Sequence, residues 1–258
     1  MNTTKFSNDE DLEKVYISVR DLETVPLNFL DYLRGLKENE FDKLLVSDNI
    51  LLTENEKTII LQYKEFSSKH EKVLCDWASF NGYLIFLKYG CEKGFPLKET
   101  AINNASTNGH LDCIKYLYEI GSKWSTATTC NASGGGHLKC LKFLHKNGCP
   151  WTWNTNVIAI RLGHVECLEY ACKNGCPLTA QVIPNLLRTS ESLKYLKIVH
   201  KHGLILTSHM ALNVAVYGDL DCFKYLYENG CPLYPFTKSK AIESKSYKIV
   251  EYLESQGI

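Results

Sequence analysis

Gly136-His137-Leu138-Lys139-Cys140-Leu141-Lys142-Phe143-Leu144-His145-Lys146-Asn147-Gly148-Cys149-Pro150-Trp151 is the stretch on which the fold turns. Leu138, Leu141, Phe143 and Leu144, with Cys140, recur near helical spacing, and Gly148 followed by Pro150 supplies a stop. Glycine can take the left-handed conformation that ends a helix, and proline cannot continue one. The spacing predicts one short amphipathic helix. The pattern returns at 111–117, 165–171 and 220–226, closed by Gly121, Gly175 and Gly230.

Seven such units begin at Gly82, Gly109, Gly136, Gly163, Glu191, Gly218 and Lys245, each followed twelve positions later by a glycine, so the period is 27 with one step of 28. A fixed period in this range marks a solenoid, whose units cannot bury their apolar faces alone and must stack. Ahead of the second helix lies a first short segment, at 100–108, 127–135, 154–162 and 208–217. Ala105, Ala132, Ala159 and Ala241 stand four residues before their unit's start, where a small side chain lets helices approach. Each unit thus reads as helix, tight turn, helix, loop. The third residue past the second glycine is apolar in every complete unit (Leu97, Trp124, Trp151, Leu178, Leu206, Leu233) and is expected to fill the gap between repeats.

The run Gly-His-Leu-x-Cys-Leu-Lys-Tyr-Leu ending in Asn-Gly-Cys-Pro, carried by 109–121 and 218–232, resembles the second helix and exit turn of the ankyrin repeat. It is especially similar to the short, cysteine-rich variant of amoebae and their giant viruses, and the resemblance covers residues 78–258. It implies a mainly α, helix-turn-helix repeat solenoid that binds proteins without catalysis. Two departures matter. The usual repeat has 33 residues, so about six are missing where that family projects a hairpin finger. Its Thr-Pro-Leu-His motif is replaced by Thr100-Ala101-Ile102-Asn103 and Asn154-Thr155-Asn156-Val157. The fifth unit lacks the Gly-His start, gains a residue and carries Pro184 in its first helix, so the stack is expected to bend there. The last unit sets Lys245, Lys248, Glu251 and Glu254 beside Ile249, Val250 and Leu253, as suits a polar-faced cap.

Before the repeats the texture changes. A polar tail (1–10) precedes alternating Val15, Ile17 and Val19, then Val25 and Leu27 after a polar turn, which reads as a hairpin. Short helices over 29–36 and 40–45, a strand at 50–52 and a helix through Phe66 follow. This order resembles the BTB/POZ fold in its Skp-like form, on 15–27 and 50–66. The alternative is a small α/β cap over the solenoid's end. The domains are then an α/β segment at 11–70, a connector at 71–81 with Trp77, and repeats at 82–258.

Lys and Arg balance Asp and Glu at 29 each, so no global field draws the chain to nucleic acid or an anionic membrane. No apolar stretch reaches the roughly 18 to 20 residues that span a bilayer, and residues 1–15 are polar rather than signal-like. The chain reads as an intracellular protein of the cytoplasm, or of the host cytoplasm if the source is viral. Of eleven cysteines, Cys113, Cys140, Cys167 and Cys222 hold the fifth position of their units and Cys149, Cys176 and Cys231 follow the second glycine. Regular placement favours packing over disulfides.

His110 with Cys113, His137 with Cys140, and His164 with Cys167 form a recurring His-x-x-Cys, which taken alone fits soft-metal ligands. One pair per unit and the absence of Cys-x-x-Cys favour packing instead, the histidine bonding backbone between successive turns. No cofactor or metal is expected. Catalysis is not expected either: no Walker loop, serine elbow or paired carboxylates occur, and Gly134-Gly135-Gly136 lacks the lysine of a phosphate loop. Lys88, Lys115, Lys142, Lys197 and Lys224 repeat at one helical position, but Glu169 and Glu251 interrupt them, so a solvated outer face is favoured over a nucleic-acid track.

Binding residues should vary between repeats and project from first helices or loops. Trp153 has no counterpart in other units, and exposed tryptophan anchors interfaces. Asn104, Asn131 and Asn213 share one first-helix position, with Arg161, Arg188 and His209 near in register. The function expected is a scaffold that binds an unidentified protein through its concave first-helix surface. The competing expectation is a cullin ubiquitin-ligase adaptor, the BTB/Skp-like segment holding a cullin or other ligase component and the repeats a substrate.

Overall fold

Positive backbone φ recurs where the repeat places its starts: Gly82, Gly109, Gly136, Gly163 and Gly218 lie between 73° and 83°. Lys245 occupies the same conformation at 59°, the one non-glycine residue to do so among the described residues. A left-handed residue reverses the chain within a single turn, so each start joins two antiparallel helices. Glu191 breaks the series with φ −117°, as expected of the unit that gains a residue.

The computed structural model describes residues 73–258, together with Arg34 and Leu61. The expected tail at 1–10 and the α/β, BTB/Skp-like or cap segment at 11–70 lie outside the described residues. Among the described residues the chain is mainly helical, with fourteen helices between residues 73 and 258 and no strand. It falls into two compact units, Met1–Ala101 and Ile102–Ile258.

In the first unit, α1 (Leu74–Asn81) packs against α2 (Leu84–Glu92). Residues 74–81, which the sequence reading places in a connector, are thus the first helix of the first pair. Trp77 meets Tyr83 at 5.0 Å and Phe86 at 5.9 Å between ring centroids, and Lys98 pairs with Asp76 at 2.8 Å.

The helices of the second unit are α3 (Ala101–Asn108), α4 (Leu111–Glu119), α5 (Thr126–Gly134), α6 (Leu138–Lys146), α7 (Trp153–Leu162), α8 (Val165–Lys173), α9 (Val182–Leu186), α10 (Ser192–Lys201), α11 (Ser208–Tyr217), α12 (Leu220–Glu228), α13 (Thr237–Glu243) and α14 (Tyr247–Ser255). First helices pack on first helices in chain order, α5 on α7, α7 on α9, α9 on α11 and α11 on α13. Second helices do the same, from α4 through α14. Cys140, Leu141 and Leu144 of α6, and Cys167, Leu168 and Ala171 of α8, are buried between these layers. A buried leucine contributes about 1.5 to 3 kcal/mol. Ala105, Ala132, Ala159 and Ala241 are fully buried, which lets the two helices of a pair approach.

The three consecutive glycines are each required by a neighbour. A Cβ on Gly134 would fall 2.7 Å from Ile158 Cγ2, one on Gly135 2.4 Å from the Thr107 carbonyl, and one on Gly136 2.5 Å from His164 Nδ1. The second residue of each unit forms a ladder between turns. His137 Nε2 lies 3.0 Å from the Thr107 carbonyl, which agrees with the backbone contact expected for these histidines. Further along, Ser192 donates to Asp219, whose other oxygen caps α12 at the Cys222 N–H, 3.0 Å away.

One expectation is corrected. Leu97, Trp124, Trp151, Leu178, Leu206 and Leu233 are half-buried or exposed rather than buried between repeats, although Trp151 meets Tyr170 of the next repeat at 6.3 Å. The residue directly after the second glycine fills the gap: Cys149, Cys176, Leu204 and Cys231 are buried. The thiols of Cys149, Cys176 and Cys231 donate to the carbonyls of Ser125, Thr152 and Thr207, each 24 residues earlier, at 3.2 to 3.4 Å. A cysteine there is small enough for the gap and satisfies a loop carbonyl as well.

Pro184 stands at the third residue of α9, within the first turn, where its missing N–H breaks no intrahelical bond. At five residues α9 is the shortest of the described helices. In the last pair Ile249, Val250 and Leu253 are buried while Lys245, Lys248, Glu251 and Glu254 are exposed.

Candidate functional site

Two faces of the second unit carry chemistry. The outer face is built from second helices. Lys142 Nζ lies 5.6 Å from the centre of the Tyr170 ring, Lys197 5.7 Å from that of Tyr225, and Lys224 5.3 Å from that of Tyr252. In each case the lysine belongs to one repeat and the ring to the next. His145 Nδ1 is 2.9 Å from Tyr170 Oη, and His200 Nδ1 2.8 Å from Tyr225 Oη. The repeated lysines are therefore rungs between repeats rather than merely a solvated face, each such contact being worth about 0.5 to 1 kcal/mol when exposed. Trp151 stacks on His145 at 3.9 Å and Trp124 on Tyr118 at 4.6 Å, which places these third-position side chains on the outer ladder.

The lysine and tyrosine of the rung are both replaced at the junction of α8 and α10. Between α8 and α10 the lysine position holds Glu169 and the tyrosine position holds Ile198. There a groove of about 650 Å³ opens, lined among others by Lys142, Glu169, Tyr170, Lys197, Ile198 and Lys201.

The second face is built from first helices and the loops leading into them. Trp153 opens α7 and is 38% exposed. Leu162, which closes α7, is 59% exposed, and Tyr217, which closes α11, is 51% exposed. Val216 and Ile242 are exposed beside them, and Ile205 in the loop before α11 reaches 79%. Arg161 and Arg188 stand exposed at the ends of α7 and α9. Arg188 Nε donates to Tyr217 Oη at 3.3 Å, which ties the end of α9 to the end of α11.

Of the residues expected to bind a partner, Trp153, Arg161, Arg188 and His209 are exposed and Asn104, Asn131 and Asn213 half-buried. All seven stand on, or directly follow, first helices, and packing of α5, α7, α9 and α11 in order brings Asn131, Trp153, Arg161, Arg188, His209 and Asn213 onto one run of neighbouring elements. The apolar members Leu162, Val216, Tyr217 and Ile242 were not anticipated. Their signal was present: directly before the unit start other repeats use Asn108, Gly135, Ser190 or Ser244, and Leu162 and Tyr217 depart from that choice.

The repeat cysteines serve the packing of the helices. All eleven are free thiols, ten of them buried. Burial pushes Cys113, Cys149, Cys172, Cys176 and Cys222 up to about 12 and Cys140 and Cys167 to about 11. At neutral pH these thiols stay protonated, and a thiolate is what nucleophilic attack needs. Among the described residues no three of His, Cys, Asp and Glu converge on a point that could hold a metal ion. No helix among them is long and apolar enough to cross a membrane. No family model matches the chain, and no curated protein matches it.

Proposed function

We propose that the chain is an ankyrin-like repeat protein that acts as a non-catalytic scaffold, binding another protein through its first helices and the loops before them. The observation that carries this reading is the concentration of exposed large apolar side chains and arginines on first helices that pack side by side, while on the second helices Lys142, Lys197 and Lys224 lie against the rings of Tyr170, Tyr225 and Tyr252. Exposed apolar residues rimmed by polar ones mark interaction surfaces, and tryptophan, tyrosine and arginine are the side chains that most often dominate binding energy. The fold reading is supported by the 27-residue period, the left-handed unit starts and the ordered stacking of helix pairs. Ten buried free thiols suit a reducing compartment inside a cell.

Proximity labelling in the cells that make the protein tests the proposal. A Trp153→Ala, Arg161→Ala double variant is expected to lose specific neighbours that wild type and a Lys139→Ala, Lys146→Ala outer-face variant both retain. Loss of the same neighbours from the outer-face variant alone would place binding on the second helices and overturn it.

A further inference from the structure

The two faces differ in charge as well as in exposure. Between Ile102 and Thr237 every carboxylate lies on a second helix (Asp112, Glu119, Glu166, Glu169, Asp221, Glu228) or directly before one (Glu191, Asp219). Helices α3, α5, α7, α9 and α11 carry none, and neither do the loops at 120–125, 147–152, 174–181 and 202–207. The one carboxylate on a later first helix, Glu243 of α13, is already paired with Lys240 at 2.6 Å.

Positive charge at the ends of α7 and α9 is carried by arginine, and the two lysines of α13, Lys238 and Lys240, are already paired with Glu254 and Glu243. Residues 82–258 contain just two arginines, Arg161 and Arg188, and both close first helices that pack against each other. A lysine would serve the carbonyl end of a helix equally well, and lysine is what the repeats use elsewhere. Arginine differs in presenting a planar fork that matches a carboxylate with two parallel hydrogen bonds. Tyr217 holds the Arg188 guanidinium through Nε, and Leu162, Val216 and Ile242 are exposed at the ends of α7, α11 and α13.

We infer that the face running from α7 to α13 takes an acidic segment of a partner protein that also carries apolar side chains. The inference rests on the scaffold reading and adds the partner's chemistry to it. Carboxylates of the segment meet Arg161 and Arg188, and its apolar side chains lie on Leu162, Val216, Tyr217 and Ile242. A basic segment would find no counter-charge on α3, α5, α7, α9 or α11. A neutral one would leave both guanidinium groups without a counter-charge under it, and an uncompensated charge at a buried interface is costly.

The test is selection of short random peptides displayed on phage against the immobilised full chain, followed by fluorescence binding of the selected peptides. Binding is compared for wild type, Arg161→Glu/Arg188→Glu, the milder Arg161→Gln/Arg188→Gln, Leu162→Ala/Tyr217→Ala, and an outer-face control Lys139→Glu/Lys146→Glu. Melting curves are recorded for each so that a fold defect is seen directly, and the Gln pair carries the test if charge reversal unfolds the chain. The expected result is peptides rich in Asp, Glu and large apolar residues, bound about tenfold or more weakly by both arginine pairs and weakened by Leu162→Ala/Tyr217→Ala, with the control unchanged. Selected peptides that are neutral or basic but still lose affinity in Leu162→Ala/Tyr217→Ala would overturn the acidic partner and keep the scaffold. Peptides insensitive to every first-helix variant would overturn both. Tighter binding of a single-stranded oligothymidine than of any selected peptide would replace the protein segment by a nucleic acid and likewise overturn the inference.

Discussion

The imidazole of His137 lies across Gly109: a Cβ added to that glycine would fall 2.4 Å from Nδ1. His164 stands in the same relation to Gly136, at 2.5 Å. The glycine at a unit start therefore answers two demands, a positive φ for its own turn and room for the next repeat's ring.

Those demands separate experimentally. Gly121, which closes a second helix, has φ 79° but nothing within 4 Å of an added Cβ, whereas Gly109 has φ 80° and the ring. Gly121→Ala should cost about 1 to 2 kcal/mol from the left-handed backbone alone. Gly109→Ala should cost a further 1 to 3 kcal/mol or so from overpacking. Urea denaturation measures both, and equal losses would mean that the ring contact carries no energy.

The interrupted ladder gives a prediction of opposite sign. Replacing Glu169 by Lys and Ile198 by Tyr installs at the α8–α10 junction the rung found between Lys142 and Tyr170. The double variant should gain about 0.5 to 1 kcal/mol, while Tyr170→Phe, which removes the partner of His145, should lose about 1 kcal/mol. A double variant less stable than wild type in thermal melting would show that the added residue of the fifth unit has shifted the register of α10.

The buried thiols set an alkaline limit. Their folded values of about 11 to 12 lie above the 9.0 of an exposed thiol. The unfolded chain therefore loses these protons first as pH rises. Their contribution to stability is complete below pH 9 and declines from there toward the folded values. The urea midpoint should be flat from neutral pH to about 8 and fall steeply above 9. A Cys149→Ala, Cys176→Ala, Cys231→Ala variant should start from a lower midpoint and fall less steeply; an unchanged slope would contradict the assignment to thiols.

The repeat was legible because its markers are set by backbone geometry. Positive φ at Gly109, Gly136, Gly163 and Gly218 admits few residues other than glycine, so the period could be read from glycine alone. Lys245 shows that the turn persists without it. The gap-filling residue was misplaced by two positions. Trp124, Trp151 and Leu178 are larger and more apolar than Cys149 or Cys176, and size suggests burial, but the buried position is the one directly after the second glycine, taken by a cysteine whose thiol donates to a loop carbonyl or, in the fifth unit, by Leu204. Of the candidate surface, the polar members follow from position on the first helices, whereas the ring partners of the outer lysines lie 28 residues away, beyond the reach of a local pattern. Leu162, Val216 and Tyr217 continue the apolar pattern of their helices, and only the packing of those helices reveals which side faces solvent.

The central claim, that a protein partner lies on the first helices, is tested most directly by photocrosslinking the full chain in the cells that make it. Benzoylphenylalanine is placed at Leu162 or Tyr217 on the first-helix face and at Lys139 or Glu166 on the second helices, all exposed positions. The account predicts a discrete crosslinked species from Leu162 and Tyr217 that is absent from Lys139 and Glu166. A species obtained from Lys139 and Glu166 but from neither first-helix position would contradict it.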